Sequence, residues 1–305
     1  MIRRPPRSTQ GVSSAASDVY KRQALTVALV DSSATDNDVN DISLTTAVGD
    51  IAVVTVTAGD TNDVTLTAAG AITEDGDAAT VDVRADELTA TAGGSITLGT
   101  TVSTADLATS AAGAIDIDET DEITLVSVTT SDGGITVDAG GSITATLVDS
   151  AATADDTSNI SLITTVGDIS VVSITAGSAN DVTLTAAGSI TEDGDTSTVV
   201  RADDLTATAG GSITLDTTVA SIEASSTISG AIDVDETDSL VLKNLATSAG
   251  SMTIDAAGPI TSDKSTISSS SMIVMTAGAH VPVSYTHLRA HETRHELVCR
   301  LLLEK

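Results

Sequence analysis

Two acidic clusters are the clearest residues in this sequence that could do chemistry. Each places four carboxylates within six positions, and they comprise Asp116, Asp118, Glu119, Asp121 and Asp233, Asp235, Glu236, Asp238. Oxygen-rich loops of this density can hold calcium at millimolar affinity, as extracellular modules do. Neither cluster has EF-hand spacing or a G-G-x-G-x-D repeat. We therefore treat the eight residues as candidate calcium ligands, with a solvated acidic surface as the alternative.

The tail carries a second pattern with a possible chemistry. His291, Glu292 and His295 spell H-E-x-x-H. On a helix this spacing puts two imidazoles on one face for zinc and supplies a general base. A zinc protease also needs a third ligand and a supporting shell of side chains. Nothing else in the sequence offers a His-rich site, so we interpret the motif as an artefact of the terminal sequence discussed below.

The amino-acid composition argues against most other classes of function. The chain has a net charge of −30, no Trp, no Phe, two Tyr and one Cys. This acidity disfavours nucleic acid and anionic membranes as partners, and the lack of aromatic residues removes base-stacking surfaces. One Cys allows no internal disulfide, and no apolar run is long enough to span a membrane. Phosphate-binding loops and nucleophile–His pairs are absent, and the acids follow the repeat rather than break it. We therefore predict that the chain is not an enzyme.

An internal repeat dominates the middle of the chain. Residues 49–77 and 167–195 match at 23 of 29 positions, with an offset of 118. After Asp82, which has no counterpart, the offset becomes 117. Within each long repeat, alternating apolar and Thr residues lead into Gly-x-Ile, as at Gly49/Ile51 and Gly70/Ile72. Five such units fill one super-repeat. This self-similarity indicates a solenoid or a domain array.

Each short unit has the pattern of a half-buried strand, a corner and a second strand. Val64, Leu66 and Ala68 alternate with polar or small residues, which is the period of a β-strand. We predict an all-β fold, a parallel β-helix (solenoid) of about eleven coils of roughly 24 residues. Tandem β-sandwich repeats are the alternative.

The repeat units resemble those of filamentous-haemagglutinin-like adhesins, which are large bacterial surface or secreted proteins. The resemblance rests on D-V-T-L-T-A-A-G-A-I-T, L-T-A-T-A-G-G-S-I-T-L and G-I-T-V-D-A-G-G-S-I-T, and covers most of residues 42–279. It implies a right-handed β-helix stalk, export to the cell surface and a role in adhesion. The secretion domain of that family and any recognisable receptor-binding module are missing from this sequence.

Both ends differ sharply from the middle. Residues 24–281 contain only four basic residues, whereas both ends are basic. The ends resemble translated sequencing-library adapters, as in M-I-R-R-P-P-R-S-T and V-S-Y-T-H-L-R-A-H-E-T. We therefore expect five segments: adapter at 1–23, super-repeats at 24–146 and 147–263, the start of a further coil at 264–281, and adapter at 282–305. We expect His287–Leu302 to be drawn as a helix.

Taken together, these patterns predict a stalk or adhesion segment of an acidic, repetitive extracellular bacterial surface protein. Its expected partners are a host, matrix or polysaccharide surface and the rest of its own longer chain, without membrane insertion in this segment. No cofactor is expected, and calcium is the alternative considered. A calcium-stabilised solenoid, or a solenoid whose Thr-x-Thr ranks bind polysaccharide or ice, is an alternative. A β-helix carbohydrate-active enzyme is a more remote one.

Overall fold

A computed structural model describes residues 24–33, 40–74, 81–152, 157–194, 200–262 and 266–278, together with the backbone of Leu288–Ala290. These residues form 28 strands and no helix. In chain order the strands are β1 (Leu25–Val27), β2 (Val30–Asp31), β3 (Ile42–Thr46), β4 (Ile51–Val53), β5 (Val56–Thr57), β6 (Val64–Ala68), β7 (Ile72–Thr73), β8 (Val83–Ala92), β9 (Ile96–Ala112), β10 (Ile115–Glu119), β11 (Ile123–Asp132), β12 (Ile135–Ala139), β13 (Ile143–Ala145), β14 (Val148–Asp149), β15 (Ile160–Thr164), β16 (Ile169–Val171), β17 (Ile174–Thr175), β18 (Val182–Ala186), β19 (Ile190–Glu192), β20 (Val200–Ala209), β21 (Ile213–Ser226), β22 (Ile232–Glu236), β23 (Leu240–Thr247), β24 (Met252–Ala256), β25 (Ile260–Ser262), β26 (Ile267–Ser269), β27 (Ile273–Ala277) and β28 (Leu288–Ala290).

The described strand pairings are all parallel, and each strand pairs with its counterpart about one turn later in the chain. The chain makes about ten turns with a spacing of about 21 residues. This arrangement confirms the predicted parallel β-solenoid and excludes the alternative of antiparallel sandwiches, which need hairpin-paired strands. The right-handed winding implied by the family resemblance stays a prediction.

Two stacks of equivalent residues organise the turns. Ladder A contains Leu25, Ile51, Ile72, Ile96, Ile115, Ile135, Ile160, Val182, Leu205 and Ile222. Ladder B begins with Ile42, Val64, Leu88, Ala105 and Leu125. Leu125 lies on β11, and the ladder continues from Ile123 of that strand through Ile143, Ile169, Ile190, Ile213, Ile232, Met252 and Ile273. Each turn crosses ladder A once and ladder B once.

The super-repeat does not correspond to a whole number of turns. Ile51 lies in ladder A, but its equivalent Ile169 lies in ladder B. Five turns from Ile51 lead to Ile160 in ladder A, and the chain then reaches Ile169 half a turn later. One super-repeat therefore spans about five and a half turns. This half turn explains why the predicted coils are too long, since five Gly-x-Ile signatures were counted as five turns.

The change of ladder occurs where the signature spacing is widest. Ile115 pairs with Ile135 in ladder A, and Ile143, only eight residues later, lies in ladder B. The 28-residue interval between Ile115 and Ile143 is thus a turn and a half. The same change occurs in the second copy, where Ile232 pairs with Met252 before Ile260 follows.

The core is a continuous column of aliphatic residues inside the turns. Ile, Val, Leu and Ala fill it, and most of them are fully buried. Alternation along each strand produces it: in β6, Val64, Leu66 and Ala68 point inward while Thr65 and Thr67 are partly exposed. Small residues suffice because a solenoid interior is narrow, and regular stacking buries each side chain between the turns before and after it.

Glycine at one corner lets successive turns approach closely. A Cβ added to Gly113 would lie 2.4 Å from the carbonyl carbon of Gly94 in the preceding turn. At Gly94 itself the nearest atom to an added Cβ is the amide nitrogen of Ala71 at 3.4 Å, an ordinary contact. The two glycines therefore differ in how much a side chain would disturb the stack.

We predict that Gly113→Ala lowers the free energy of unfolding by about 3 kcal/mol or more, because its methyl group meets backbone that cannot rotate away. Gly94→Ala is the matched control and should change it by less than about 1 kcal/mol. Urea unfolding followed by circular dichroism measures both. Equal effects of the two substitutions would contradict the close backbone approach.

Of the tail, the backbone of β28 is described, and it is a strand paired in parallel with β26. The helix expected over His287–Leu302 is therefore wrong at residues 288–290. The physical reason is the open edge of β26, which offers backbone hydrogen bonds to a passing segment.

Candidate functional site

The two acidic clusters lie in equivalent positions, one in each super-repeat. The first occupies β10 and the turn after it, and the second occupies β22 and its following turn. In each strand the sequence alternates isoleucine or valine with acids, so that Ile115 and Ile117 are buried while Asp116 and Asp118 are exposed. The same alternation places Glu119 on the inner side, where it is only 4% exposed. The structure thus divides each predicted ligand set between two sides of the strand.

Glu119 binds backbone and hydroxyl groups at a corner of the solenoid. Its Oε2 accepts hydrogen bonds from Thr100 Oγ1 at 2.8 Å and from the amide of Val102 at 3.1 Å. Its Oε1 accepts from the amides of Thr120 at 2.8 Å and Asp121 at 3.3 Å. The carboxylate therefore connects its own turn to the preceding one and accepts hydrogen bonds from amides at the corner, of which that of Thr120 also donates to the carbonyl of Thr100 at 3.1 Å.

Glu236 repeats this arrangement in the second super-repeat. Its Oε2 accepts from Thr217 Oγ1 at 2.9 Å and from the amide of Val219 at 3.0 Å, and its Oε1 accepts from the amide of Asp238 at 3.1 Å. Like Glu119, it is 4% exposed. The recurrence of the same contacts 117 residues later indicates a structural role for both glutamates.

Burial raises the pKa of the Glu119 carboxyl, because removing a charge from water disfavours the ionised form. The hydrogen bonds from Thr100 and from the amides of Asp121 and Val102 oppose this rise. The pKa of Glu236 is raised for the same reason, with Thr217, Val219 and Asp238 providing the opposing bonds.

The exposed aspartates form rows along the outside of the turns. Parallel register places Asp235 between Asp216 and Asp255 in neighbouring turns. Partial burial, followed by repulsion from Asp216, Asp233 and Asp255, raises the pKa of Asp235. In the first copy Gly99 stands in the row position that Asp216 occupies in the second, so there the row contains Asp118 and Asp138. Burial and repulsion from Asp118 and Asp116 raise the pKa of Asp138.

These rows do not assemble a cation-binding cage in the part of the chain that the structure describes. No group of three His, Cys, Asp or Glu side chains there is arranged to hold a metal ion. The candidate ligands Asp121 and Asp238 are exposed. Their backbone amides donate hydrogen bonds to the buried carboxylates of Glu119 and Glu236. Calcium binding stays a prediction. His291, Glu292 and His295 lie outside the described residues.

A polar groove beside the first cluster was not predicted from the sequence. It has a volume of about 470 Å³ and is lined by residues that include Asp60, Arg84, Thr101, Thr124 and Glu122. Arg84 donates from Nε and Nη2 to Asp60 Oδ1 at 3.1 and 2.9 Å. Both side chains are more than half exposed, so the ion pair adds little stability. The lining of the groove is mostly polar and includes no aromatic residue.

Buried asparagines at a second corner were also missed. Asn62 and its equivalent Asn180 donate from Nδ2 to the carbonyls of Ala58 and Ala176 at 3.1 and 2.9 Å. Asn180 Oδ1 accepts from the amide of Ser158 at 3.0 Å. Their recurrence at an offset of 118 within N-D-V-T-L-T was the available signal, since a polar residue that repeats beside a strand indicates a corner contact.

Rows of Thr and Ser hydroxyls stack in register on neighbouring strands, although the repeat units differ in length. Thr65 and Thr67 on β6 lie in register with Thr89 and Thr91 on β8, and β3 adds a row of Ser43 and Thr45. The next strand ends the array by placing Asp106 and Ala108 in these positions. The hydroxyl array is therefore three rows deep. Binding to ice or polysaccharide stays a prediction.

No family model, curated protein or solved structure matches this sequence. In the described residues no helix is long and apolar enough to cross a membrane. The site must therefore be interpreted from its own geometry, and that geometry is structural: two buried carboxylates fix corners, and the outer carboxylates form charged rows.

We predict that Glu119→Ala lowers the free energy of unfolding by about 2–4 kcal/mol, because it removes the acceptor of the Val102 amide and of the Thr100 hydroxyl. Glu236→Ala should have a similar effect. Asp118→Ala, which changes an exposed carboxylate on the same strand, is the control and should not destabilise. Chemical denaturation of the three variants measures this. A loss for Asp118→Ala as large as that for Glu119→Ala would rule out the corner role.

The raised pKa values predict a stability that increases on mild acidification. Six carboxyls have folded pKa values above their ordinary ones, namely Asp116, Glu119, Asp138, Asp233, Asp235 and Glu236. Such groups bind protons more tightly when folded, so stability rises as the pH falls through the folded values and levels off at about pH 4, near the unfolded ones. Asp31 and Asp204, whose pKa values are lowered, oppose this.

The measurement is urea unfolding between pH 7 and pH 4, in wild type and in Asp235→Asn. We expect the unfolding free energy to rise toward acid and the slope to be smaller in the variant. A free energy that falls steadily from pH 7 to pH 4 would show that the charged rows do not control stability.

Proposed function

We propose that residues 24–281 are a stalk segment of a repetitive, acidic bacterial surface protein that acts in adhesion. The observation that carries this proposal is the unbroken stack of turns, in which each super-repeat reproduces the corner contacts of the other. A structure of this kind lengthens by adding copies without changing its cross-section. That property suits a spacer that holds a binding module away from a cell.

The surface supports the same role. The outward carboxylates keep a long rod soluble and discourage lateral association between rods. Glu119 and Glu236 bond to the backbone at corners, and Asp118, Asp138, Asp235 and Asp255 stand in rows. An extracellular location and partners among host, matrix or polysaccharide surfaces are parts of this proposal that come from the family resemblance. A non-catalytic role comes from the sequence, in which phosphate-binding loops and nucleophile–His pairs are absent and the acids follow the repeat.

The stalk proposal predicts the effect of added length. Duplicating residues 142–258 should insert about five and a half turns, which at about 4.8 Å per turn lengthens the rod by roughly 26 Å. Small-angle X-ray scattering should show this increase in maximum dimension with an unchanged cross-sectional radius. An insertion of equal length made of Gly and Ser is the control, and should add a flexible segment instead. A widened cross-section after duplication would overturn the proposal.

A further inference from the structure

The polar groove beside Arg84 runs along the axis of the rod. Its lining comes from four successive turns, to which β8, β9, β11 and β13 contribute. At about 4.8 Å per turn, the groove extends roughly 14 Å along the rod. Thr104, Thr124 and Thr144 stand in register on three of these turns. The groove therefore offers one threonine hydroxyl per turn to a ligand that lies along it.

The groove has hydrogen-bonding capacity that the protein itself does not use. Within the described parts of the chain, the three threonine hydroxyls are not bonded to another protein group, and neither is the carboxylate of Glu122. The lining contains three acidic residues and one basic residue. The basic residue is Arg84, which is already paired with Asp60. A ligand that fits this groove therefore carries hydroxyl groups and positive charge.

The two super-repeats differ most usefully at this groove. Arg84 and Asp121 recur in the second copy as Arg201 and Asp238. Most of the other polar lining residues do not recur, since the positions of Asp60, Ser103, Glu122, Thr124 and Ser142 are taken by Ser178, Ala220, Ser239, Val241 and Pro259. Both copies nevertheless fold into the same turns. The polar groups found in one copy only are thus not needed to hold the solenoid together, which indicates another role.

A linear saccharide with free amino groups meets these requirements. Its rings repeat at close to the spacing of the turns and carry hydroxyls that can bond to the threonine rank. The lining has no aromatic residue on which a neutral sugar ring could stack, so charge must supply much of the affinity. An acidic groove in a chain of net charge −30 repels a sugar acid and attracts a protonated amine. That amine can form a charge-assisted hydrogen bond with Glu122.

We propose that this groove binds a linear amino-saccharide that lies along the rod axis. An ammonium group of the saccharide pairs with Glu122, and its hydroxyls bond to the threonine rank. Arg84 and Asp60 stand at the first turn of the groove, where they can bond to the hydroxyls of the terminal ring. The inference rests on the proposed adhesive role, for which it names the class of polysaccharide, and it places the site in the first super-repeat.

The test uses the full chain and a tetramer of β-1,4-linked glucosamine as the probe. The fully N-acetylated tetramer is the matched ligand without positive charge. Isothermal titration calorimetry is carried out at about 0.15 M salt, where charges more than about 8 Å apart are largely screened. Wild type should bind one glucosamine tetramer per chain, and the acetylated tetramer should bind about tenfold more weakly because it lacks the charge-assisted bond.

Two pairs of variants separate the groove from the general acidity of the rod. Glu122→Gln should weaken binding of the glucosamine tetramer about tenfold. Glu223→Gln, the same change at a partly exposed position of the second super-repeat, should leave it unchanged. Thr124→Val introduces the residue type of the second copy without changing the charge, and should weaken binding about fivefold. Thr65→Val, on β6 outside the groove, is its control. Circular dichroism confirms that each variant is folded.

Several outcomes would overturn the proposal. Equal losses in Glu122→Gln and Glu223→Gln would show only a general attraction to an acidic rod. Equal binding of the two tetramers would show that the amine is not recognised. A wild type that does not bind the glucosamine tetramer, or a Thr124→Val variant that binds it as wild type does, would also contradict the site. The scattering test of the stalk does not involve the groove, so a rod that lengthens as predicted but does not bind would reject the ligand alone.

Discussion

The structure depends on the parallel pairing of each strand with its equivalent one turn away. This single contact supplies the backbone hydrogen bonds of both strands and also sets identical or similar side chains above one another. Ile pairs with Ile through much of ladder A, for example at Ile51, Ile72 and Ile96. The aliphatic column then needs no large residues, which explains how a chain without Phe or Trp builds a long core. The same stacking also places like charges in rows, so the outer surface carries an electrostatic strain that the inner surface does not.

The corners of a solenoid are costly to bury, because some of the backbone amides there have no acceptor in a neighbouring strand. In this chain, buried side chains that repeat with the super-repeat bond to the backbone at the corners. Glu119 and Glu236 accept from amides at one corner, and Asn62 and Asn180 donate to carbonyls at another. A buried carboxylate is costly to desolvate, and it is retained here because several donors converge on it. The acids that looked most like ligands in the sequence are thus divided between a structural interior set and a charged exterior set.

The sequence predicted the fold well because strand period and repeat length are local properties. Alternation in Asp63–Thr73 and the recurrence of Gly-x-Ile were sufficient to predict parallel turns. The half-turn offset was not predicted, because Ile135 and Ile143 look like neighbours in one pattern while pairing shows that they lie in different ladders. The inward position of Glu119 was available from the alternation Ile115, Ile117, Glu119, but the type of residue suggested an exposed ligand. The groove beside Arg84 joins residues from separate turns, and no local pattern describes such a site.

The half-turn offset has a consequence for how a long array would meet other surfaces. A feature carried by every super-repeat is displayed alternately on two sides of the rod, since the Thr65/Thr67 rank lies in ladder B and the equivalent Thr183/Thr185 rank in ladder A. Features on one side then recur every second super-repeat, about eleven turns or roughly 53 Å apart. A flat target would engage only alternate copies, and the rod could bridge two targets with the copies between them.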